Sequence, residues 1–365
     1  MRERNMGREY SVAVIPGDGI GREVTPEGLR VLEAVEDVLG HLHLHFAAYP
    51  WGSTYYLRHG RMMPQDALKT LEDYDAIYFG AVGMPSRVPD HVTLWGLLLP
   101  IRKAFDQYVN VRPSRLLPGV VGPLRNKGAE DIDFVCVREN SEGEYSGVGG
   151  RVHGGTPYEV ALQTSVFTRR AVERVMRFSF ELARGRSKRK LTSVTKSNAC
   201  QYSMVLWDEV FSELTAEYPD VETETWHIDA MAARFVTHPE TLDVVVASNL
   251  FADILTDLGG ALQGSLGMAP SANLNPEREW PSMFEPVHGS APDIAGRGIA
   301  NPIAMIWSGA MMLEFLGEEH AADLIVSAIE RVTAEGKTLT PDLGGTSRST
   351  EVTGAIIREL RALAT

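Results

Sequence analysis

The stretch that decides the fold of this chain is Asp229–Asp257, DAMAARFVTHPETLDVVVASNLFADILTD. Within it, Val244–Ala247 is an unbroken run of apolar, mostly β-branched residues, which is typical of a strand buried on both faces. From Asn249 onward the apolar residues recur at helical spacing, which predicts a helix that buries Leu250, Phe251, Ile254, Leu255 and Leu258. A buried strand that leads directly into a helix indicates an α/β protein.

Three aspartates in this stretch are candidate metal ligands. Asp253 and Asp257 are four residues apart, so they share one face of the predicted helix. With Asp229 arriving from a preceding turn, the pattern predicts three carboxylates at the carboxyl end of a strand. Hard divalent cations prefer all-oxygen ligands of this kind. Acidic residues in a first helical turn are also favoured by the helix dipole, so the aspartates alone leave both interpretations open.

Composition narrows the class of protein. The 365 residues are 44% hydrophobic, and 48 acidic residues against 35 basic ones give a net charge of −13. This acidity argues against a binder of nucleic acid or of an anionic membrane. Cys136 and Cys200 lack the spacing of a metal site and are predicted to be free thiols in a reducing compartment. Met1–Arg8 has no apolar signal core, and the apolar stretch Ile299–Leu316 contains Asn301, Pro302 and Glu314, so we expect a cytoplasmic protein without a membrane span.

Strand-like and helix-like segments alternate along the chain, which predicts a largely parallel sheet. The first strand, Tyr10–Ile15, leads into a glycine loop at Gly17–Gly21 that does not match the G-x-G-x-x-G dinucleotide fingerprint. A phosphate-binding or ribose-binding loop and a plain tight turn therefore both remain open there. Gly143–Gly150 is expected to be a flexible loop. The other predicted strands are Asp75–Phe79, Phe134–Val137, Tyr158–Phe167 (a strand or hairpin arm), Leu191–Thr195 and Glu222–Ile228.

Basic residues at loop positions are the second group of candidates. Arg102 and Arg112 flank a semi-apolar segment, and two arginines aimed at one cleft suit a dicarboxylate. Lys196 follows the predicted strand Leu191–Thr195, and a lysine at the carboxyl end of a strand is a candidate catalytic residue. Solvated surface arginines and lysines are the commoner situation, so these residues alone do not settle a function.

Six motifs in order bring these residues together: PGDGIG, the arginine segment that ends in NVRP, RENSEG with a following Tyr, TKSN, the Asp229–Asp257 stretch, and FEPVHGSAPDIAG with a following NP. From Tyr10 to Leu363 the chain resembles the metal-dependent β-decarboxylating dehydrogenases, which include the isopropylmalate, isocitrate and tartrate/D-malate enzymes. The resemblance implies an α/β subunit with a two-domain open mixed sheet of the isopropylmalate dehydrogenase type, rather than a Rossmann fold. Residues 1–107 plus 265–365 would form a discontinuous cofactor-binding domain, and 108–264 a domain for substrate, metal and dimerisation.

The resemblance also implies residue roles. Lys196 would act as the base at the C2 hydroxyl, Tyr145 would protonate the enol carbon, and Asp229 would join them. Asp229, Asp253 and Asp257 would hold Mn²⁺ or Mg²⁺. The implied substrate contacts are Arg102, Arg112, Arg138, Trp95, Leu98, Leu99 and Asn198. The implied contacts to NAD are Ile20, Glu285, His288, Gly289, Ser290, Ala291, Asp293 and Asn301, where Asp293 would accept hydrogen bonds from a ribose 2′-OH and disfavour NADP.

The resemblance further implies a homodimer with shared active sites, in which Lys196 and Asp229 reach the partner subunit's site. A requirement for a monovalent cation such as K⁺ stays open.

The run before Arg102 bears on the substrate. HVTLWGLLLPIR resembles the tartrate/D-malate branch, where Trp95 would fill space left by the small C3 substituent. Leu98 and Leu99 also resemble isopropylmalate enzymes, which typically have Glu where Trp95 stands. We therefore predict metal-dependent, NAD-linked oxidation of tartrate and oxidative decarboxylation of D-malate. The alternatives are 3-isopropylmalate dehydrogenase of leucine biosynthesis and, from another class, a non-catalytic regulatory subunit.

Overall fold

The computed structural model describes residues 7–364. The chain forms two compact units. Unit 1 contains the chain up to residue 107, residues 115–132 and the chain from residue 260. Unit 2 contains Tyr108–Ser114 and Asp133–Gly259. The sequence analysis expected residues 108–264 to form one domain. Two segments of that range, 115–132 and 260–264, belong to unit 1 in the structure.

Unit 1 has an open mixed sheet with the strand order β2-β1-β3-β12-β11. All neighbouring pairs are parallel except β11 with β12, because a hairpin connection reverses the chain there. The strands are β1 (Arg8–Gly17), β2 (Leu42–Ala48), β3 (Ala76–Ala81), β11 (Pro270–Leu274) and β12 (Ser282–Pro286). The helices are α1 (Gly21–Leu39), α2 (Ser53–His59), α3 (Ala67–Leu71), α4 (Asp90–Thr93), α5 (Leu99–Ala104), α10 (Ile303–Leu316), α11 (Glu319–Glu335) and α12 (Ser349–Leu363).

Both faces of the unit 1 sheet are covered, which explains its nearly continuous apolar strands. Alternate strand residues such as Ile15, Ile77 and Phe79 pack with Leu97 and Ile101 of the segment that leads to Arg102. On strand β3, Tyr78 lies between two of these residues and donates a 2.6 Å hydrogen bond to the Met305 carbonyl of α10. The glycine loop and the segment around Arg102 are therefore anchored to one rigid core.

Unit 2 has a second α/β arrangement with the strand order β4-β5-β10-β8-β9. The neighbouring pairs β5–β10, β10–β8 and β8–β9 are parallel. Its strands are β4 (Val109–Arg115), β5 (Asp133–Glu139), β8 (Lys190–Thr195), β9 (Glu222–His227) and β10 (Val244–Ala247). Its helices are α6 (Arg169–Gly185), α7 (Ser203–Thr215), α8 (Ile228–Thr237) and α9 (Asn249–Leu262, whose last residues fall in unit 1).

A two-stranded antiparallel arm of unit 2 corrects one sequence prediction. Residues Gly143–Val152 form strand β6, where the sequence analysis expected a flexible glycine loop. Its partner β7 (Val160–Val166) supplies the backbone hydrogen bonds that allow glycines to remain extended. A glycine count alone does not reveal such a partner strand, so the prediction was wrong.

The predicted fold class is confirmed as α/β with open sheets, and Val244–Ala247 has the predicted bounds. The other predicted strands are present with shifts of one or more residues at their ends. Strand β2 was missed although LHLHF alternates apolar and polar residues, which is the pattern of a half-buried strand. No helix within residues 7–364 combines the length and the apolar composition that a bilayer crossing needs.

Candidate active site

The polar residues of unit 2 follow from the way its parallel strands end. The registers align Ala247 of β10 with Arg138 of β5, and Thr195 of β8 with His227 of β9. Carboxyl ends of parallel strands meet at one sheet edge, where open α/β sheets bind their ligands. This edge of unit 2 presents, in strand order, Arg138, Asn249, Lys196 and Asp229.

Asp253, in the second turn of α9, is the centre of a cluster of charged and polar groups. Arg138 Nη1 donates to Asp253 Oδ1, and Arg112 Nη1 lies 3.5 Å from the same oxygen. Tyr145 donates a 3.0 Å hydrogen bond from its phenol to Asp253 Oδ2. Both arginines are buried, and the carboxylate balances part of their charge. The structure therefore brings together four of the predicted site residues, Arg112, Arg138, Tyr145 and Asp253.

Two further residues hold these arginines, and the sequence analysis did not assign them. Asn249 accepts a 2.9 Å hydrogen bond from Arg138 Nε, and Thr256 accepts one of 2.6 Å from Arg112 Nη1. Asn249 opens α9, and Thr256 lies three residues after Asp253 on the same helix, so helical spacing places both beside the cluster. That helical spacing from Asp253 is the sequence signal that could have identified Asn249 and Thr256.

Asp257 lies one helical turn beyond Asp253 and is exposed in the single chain. Partial burial of its carboxyl raises the pKa of Asp257; Arg112 and Arg138 oppose this shift, and the negative charge of Asp253 adds to it. Within residues 7–364, no three His, Cys, Asp or Glu side chains are close enough to hold a metal ion. The expected convergence of three aspartates is therefore not found among the described residues of one chain, where Asp253 and Asp257 lie one helical turn apart on α9.

Asp229 pairs with Lys196 instead. Lys196 Nζ donates to Asp229 Oδ1, and this hydrogen bond lowers the pKa of Asp229. Asp229 lies in the first turn of α8, where the helix dipole favours a carboxylate. The Asp229 side chain is largely exposed in the single chain. Asn198 is exposed too and lines a cavity of about 660 Å³ with Ser197, His227 and residues of α7.

In unit 1, two loops that carry predicted cofactor residues are joined by their backbones. The Ile20 N–H donates a 2.9 Å hydrogen bond to the Ser290 carbonyl. A Cβ at Gly19 would lie 2.0 Å from that carbonyl oxygen, so only glycine allows this approach. Beyond Ser290, Ala291 has a left-handed φ of 39°, and Asp293 and Gly289 are exposed. The loop thus offers backbone groups and an accessible carboxylate.

His288 and Asn301 differ in whether the protein supplies hydrogen-bond partners for all of their polar side-chain atoms. His288 Nδ1 lies 2.9 Å from the Gly289 carbonyl oxygen, whereas its Nε2 is buried without a hydrogen-bond partner, and burial lowers the pKa of His288. Asn301 donates a 3.0 Å hydrogen bond to Asp342 and accepts one from the Ile303 N–H at the start of α10. An orphaned buried nitrogen is the kind of atom that a bound ligand satisfies.

The segment before Arg102 contains a π-helix, Leu94–Leu98, between α4 and α5. Single π-turns inside helices occur frequently at functional sites. Trp95 is 43% exposed, with Lys103 Nζ 4.6 Å from its ring centroid, while Leu98 and Leu99 are buried. Burial lowers the pKa of Lys103. The π-helix therefore presents Trp95 outward while the leucines face the core.

Arg102 is paired within unit 1. Its Nη2 donates a 2.6 Å hydrogen bond to Glu285 Oε1 of β12, and Asn273 donates to the same oxygen at 2.8 Å. Glu285 was predicted to contact the cofactor, and this contact to Arg102 was not foreseen. Antiparallel pairing of β11 with β12 sets Glu285 opposite Ser271, so that Asn273 reaches Glu285 diagonally, which no local sequence pattern reveals.

The residues present fit the groups that the family resemblance implies. Asp253 and Asp257 supply carboxylate oxygens, the donors preferred by Mn²⁺ and Mg²⁺. In unit 1, His288 Nε2 provides a buried polar atom for a ligand, and the Ile20 and Ser290 loops provide close backbone approach.

Comparisons with known proteins show similarity along nearly the whole chain. Residues 11–358 match the family model for isocitrate/isopropylmalate dehydrogenases. A probable tartrate dehydrogenase/decarboxylase from Agrobacterium vitis is 58% identical, over 96% of this chain and 97% of the relative. A D-malate dehydrogenase [decarboxylating] from Escherichia coli is 56% identical, over 97% of this chain and 99% of the relative. The crystal structure of an isocitrate dehydrogenase from Methylococcus capsulatus has a TM-score of 0.85 at 33% identity, covering 96% of this chain and 99% of that one.

Proposed function

Because this chain belongs to the isocitrate/isopropylmalate dehydrogenase family, we propose that it oxidises D-malate with decarboxylation and oxidises tartrate. Family membership makes it an NAD-linked decarboxylating dehydrogenase. Similar proteins at 56–58% identity carry the names tartrate dehydrogenase/decarboxylase and D-malate dehydrogenase. The observation that carries the proposal is the Asp253 cluster, where two buried arginines and a tyrosine meet one carboxylate.

Arg112 and Arg138 are proposed to bind the substrate carboxylates. Guanidinium groups match carboxylates in bidentate geometry, and both arginines are held rigidly by Thr256, Asn249 and Asp253. Arg102, with Leu98, Leu99 and Trp95 on the preceding segment, is proposed as a further group of substrate contacts. Asn198 completes the proposed substrate set.

Lys196 and Tyr145 are proposed to move the protons. The C2 hydroxyl of the substrate loses its proton as hydride leaves C2, and Lys196, after losing its own proton, accepts it. After the β-carboxylate leaves as CO₂, the enol carbon needs a proton, and Tyr145 donates it. The phenol is already oriented by its hydrogen bond to Asp253.

Asp229, Asp253 and Asp257 are proposed to hold Mn²⁺ or Mg²⁺, and a bound divalent cation stabilises negative charge on substrate oxygens. Asp253 and Asp257 lie on one helix, whereas Asp229 pairs with Lys196 in the single chain. We therefore propose a homodimer in which Lys196 and Asp229 of one subunit complete the site of the other. NAD, when bound, would supply the acceptor for the hydride that leaves C2.

The proposed cofactor contacts are Ile20, Glu285, His288, Gly289, Ser290, Ala291, Asp293 and Asn301. Asp293 is the proposed determinant of NAD over NADP, because a carboxylate accepts from a ribose 2′-OH and repels a 2′-phosphate. The division into a cofactor-binding domain and a substrate and dimerisation domain is part of the same proposal. The cytoplasmic location stays a prediction.

NADH formation with D-malate, with the tartrate isomers and with 3-isopropylmalate tests the proposed function. Each substrate is assayed with Mn²⁺, with Mg²⁺ and with EDTA, and each metal assay is repeated with and without K⁺. We expect D-malate and tartrate to react only with metal and 3-isopropylmalate to react more slowly. Fastest turnover of 3-isopropylmalate would assign the enzyme to leucine biosynthesis instead. No turnover of any substrate would favour the regulatory-subunit alternative.

A further inference from the structure

Asp18, in the glycine loop at the end of β1, is completely buried and has no role in the proposed chemistry. A carboxylate is almost never fully buried unless donors surround it. Here Oδ1 accepts from the Ser53 N–H at 2.9 Å, and Oδ2 accepts from the Ser53 hydroxyl at 2.6 Å and from the Gly83 N–H at 3.1 Å. One side chain thus joins three separate segments of unit 1.

The geometry around Asp18 requires close approach of these segments. The Asp18 N–H donates a 2.8 Å hydrogen bond to the Ala81 carbonyl, which fixes the loop to the end of β3. A Cβ at Gly52 would lie 3.0 Å from Asp18 Oδ1, and Gly52 has a φ of 139°, so a side chain is excluded there on two grounds. Arg22 Nη2 lies 3.9 Å from the carboxylate on the solvent side.

Two residues after Asp18, the same loop reaches the predicted cofactor contacts. Ile20 donates its N–H to the Ser290 carbonyl, so a displacement of the loop at Asp18 is passed to Ser290. Gly83, the third segment held by Asp18, also lies near this loop, because a Cβ there would be 3.2 Å from Ser290 Oγ. Asp18 therefore fixes both sides of the backbone that Ile20 and Ser290 present.

We propose that Asp18 is a positioning residue for the nicotinamide cofactor, acting through the Ile20 and Ser290 loops rather than by contact with the ligand. The inference rests on the proposed function, because it assumes that these loops bind NAD. It concerns affinity for the cofactor, since among residues 7–364 the Asp18 side chain contacts Ser53, Gly83 and Arg22, which are not proposed substrate residues.

The charge of Asp18 provides a sharp test. All its neighbours donate, so Asp18→Asn places an NH₂ group against at least one donor in either orientation of the amide. Ser53→Ala removes only the hydroxyl donor and keeps the backbone N–H. We expect Asp18→Asn to raise the KM for NAD about tenfold and Ser53→Ala to raise it less, with the KM for D-malate unchanged within about twofold.

Asp75→Asn is the matched control. Asp75 Oδ2 accepts from both the N–H and the hydroxyl of Ser11, at 2.7 and 2.8 Å, at the opposite end of β1 and β3. It repeats the carboxylate–serine contact far along the strands from Ile20, so we expect no change in the KM for NAD.

NADH binding, followed by fluorescence without substrate, separates this inference from the proposed function. If the unmodified enzyme binds NADH but oxidises neither D-malate nor tartrate, the proposed function fails. The inference about Asp18 can still be tested in that case, by comparing the NADH affinities of the variants and the unmodified enzyme. Weaker NADH binding by Asp18→Asn and Ser53→Ala, at unchanged melting temperature for Ser53→Ala, supports the inference. Unchanged NADH affinity in Ser53→Ala and in folded Asp18→Asn overturns it, as does an equal rise in both KM values. If Asp18→Asn does not fold, Ser53→Ala decides, and no NADH binding by the unmodified enzyme also overturns it.

Discussion

Arg102 and Glu285 form a buried ion pair, with Arg102 Nη2 2.6 Å from Glu285 Oε1 and side chains only 6% and 9% exposed. Glu285→Gln removes the buried carboxylate that pairs with Arg102, so we expect the free energy of unfolding to fall by about 3 kcal/mol. The KM for D-malate should rise as well, because Arg102 loses the group that orients it. Denaturant titration and steady-state kinetics measure the two effects.

Glu330→Gln is the control for this prediction. Glu330 Oε1 lies 2.7 Å from Arg115 Nη2 in the same unit, but both side chains are about one-third exposed. Solvent screens such a pair, so its loss should cost no more than about 1 kcal/mol. Equal destabilisation by the two variants would show that burial of the Arg102 pair has no special importance.

The decrease in unfolding free energy at low pH should depend on ion pairs on the surface of unit 2. Arg177 makes two hydrogen bonds to Glu217, of 2.7 and 3.1 Å, which lower the pKa of Glu217 from its ordinary 4.5. Since the folded pKa lies below the unfolded one, the pair stabilises the fold above pH 4.5, and this contribution is lost as pH falls through the folded pKa. Glu217→Gln should therefore flatten the loss of unfolding free energy on acidification.

Urea titrations between about pH 6 and pH 3 measure that slope. Glu209→Gln on α7 serves as the control, because its nearest arginine nitrogen is 3.9 Å away. Equal slopes for both variants and the unmodified protein would show that the Arg177 pair does not contribute to acid sensitivity.

Substrate choice should respond to Trp95. If its ring occupies the space beside a small C3 substituent, Trp95→Ala should improve kcat/KM for 3-isopropylmalate relative to D-malate by about tenfold or more. Trp280→Ala is the control, because Trp280 is also a partly exposed tryptophan of unit 1. An unchanged substrate ratio in Trp95→Ala would count against the packing role.

Local patterns predicted much of the fold. The strand Val244–Ala247 could be predicted because burial on both faces produces an unbroken apolar run. The helix from Asn249 could be predicted because its apolar residues recur at helical spacing. The order of strands was not readable, because it depends on pairings between residues far apart in the chain. Strand β6 shows the same limit, since only its partner β7 makes its glycines a strand.

The candidate site also contains residues that the sequence identified and contacts that only the structure shows. Arg138, Tyr145 and Asp253 were identified from motifs, and the structure places Arg138 and Tyr145 in hydrogen-bond contact with Asp253. The link between Arg102 and Glu285 crosses 183 positions and arises only from the fold of unit 1. Asp18 was visible in the sequence between two glycines, but its three-way contact needed the structure.

Tyr145 should be essential for turnover and dispensable for binding. Tyr145→Phe removes only the hydroxyl that lies 3.0 Å from Asp253, so we expect turnover of D-malate to fall by about 10²- to 10⁴-fold with NAD affinity unchanged. Tyr158→Phe, at an 80% exposed tyrosine of the same unit, should behave like the unmodified enzyme. Retained turnover in Tyr145→Phe would exclude the phenol as the proton donor.

Shared active sites predict rescue between two inactive variants. Lys196→Ala removes a group proposed to serve the partner, and Asp253→Asn removes one proposed to serve its own subunit, so a mixed dimer keeps one intact site. Random mixing makes half of the dimers mixed, which gives about one quarter of full activity. Lys196→Ala mixed with Asp229→Asn should give none, because both groups reach across and every mixed site lacks one. Activities are measured after co-expression or joint refolding, and no recovery in the first mixture would place each complete site within one chain.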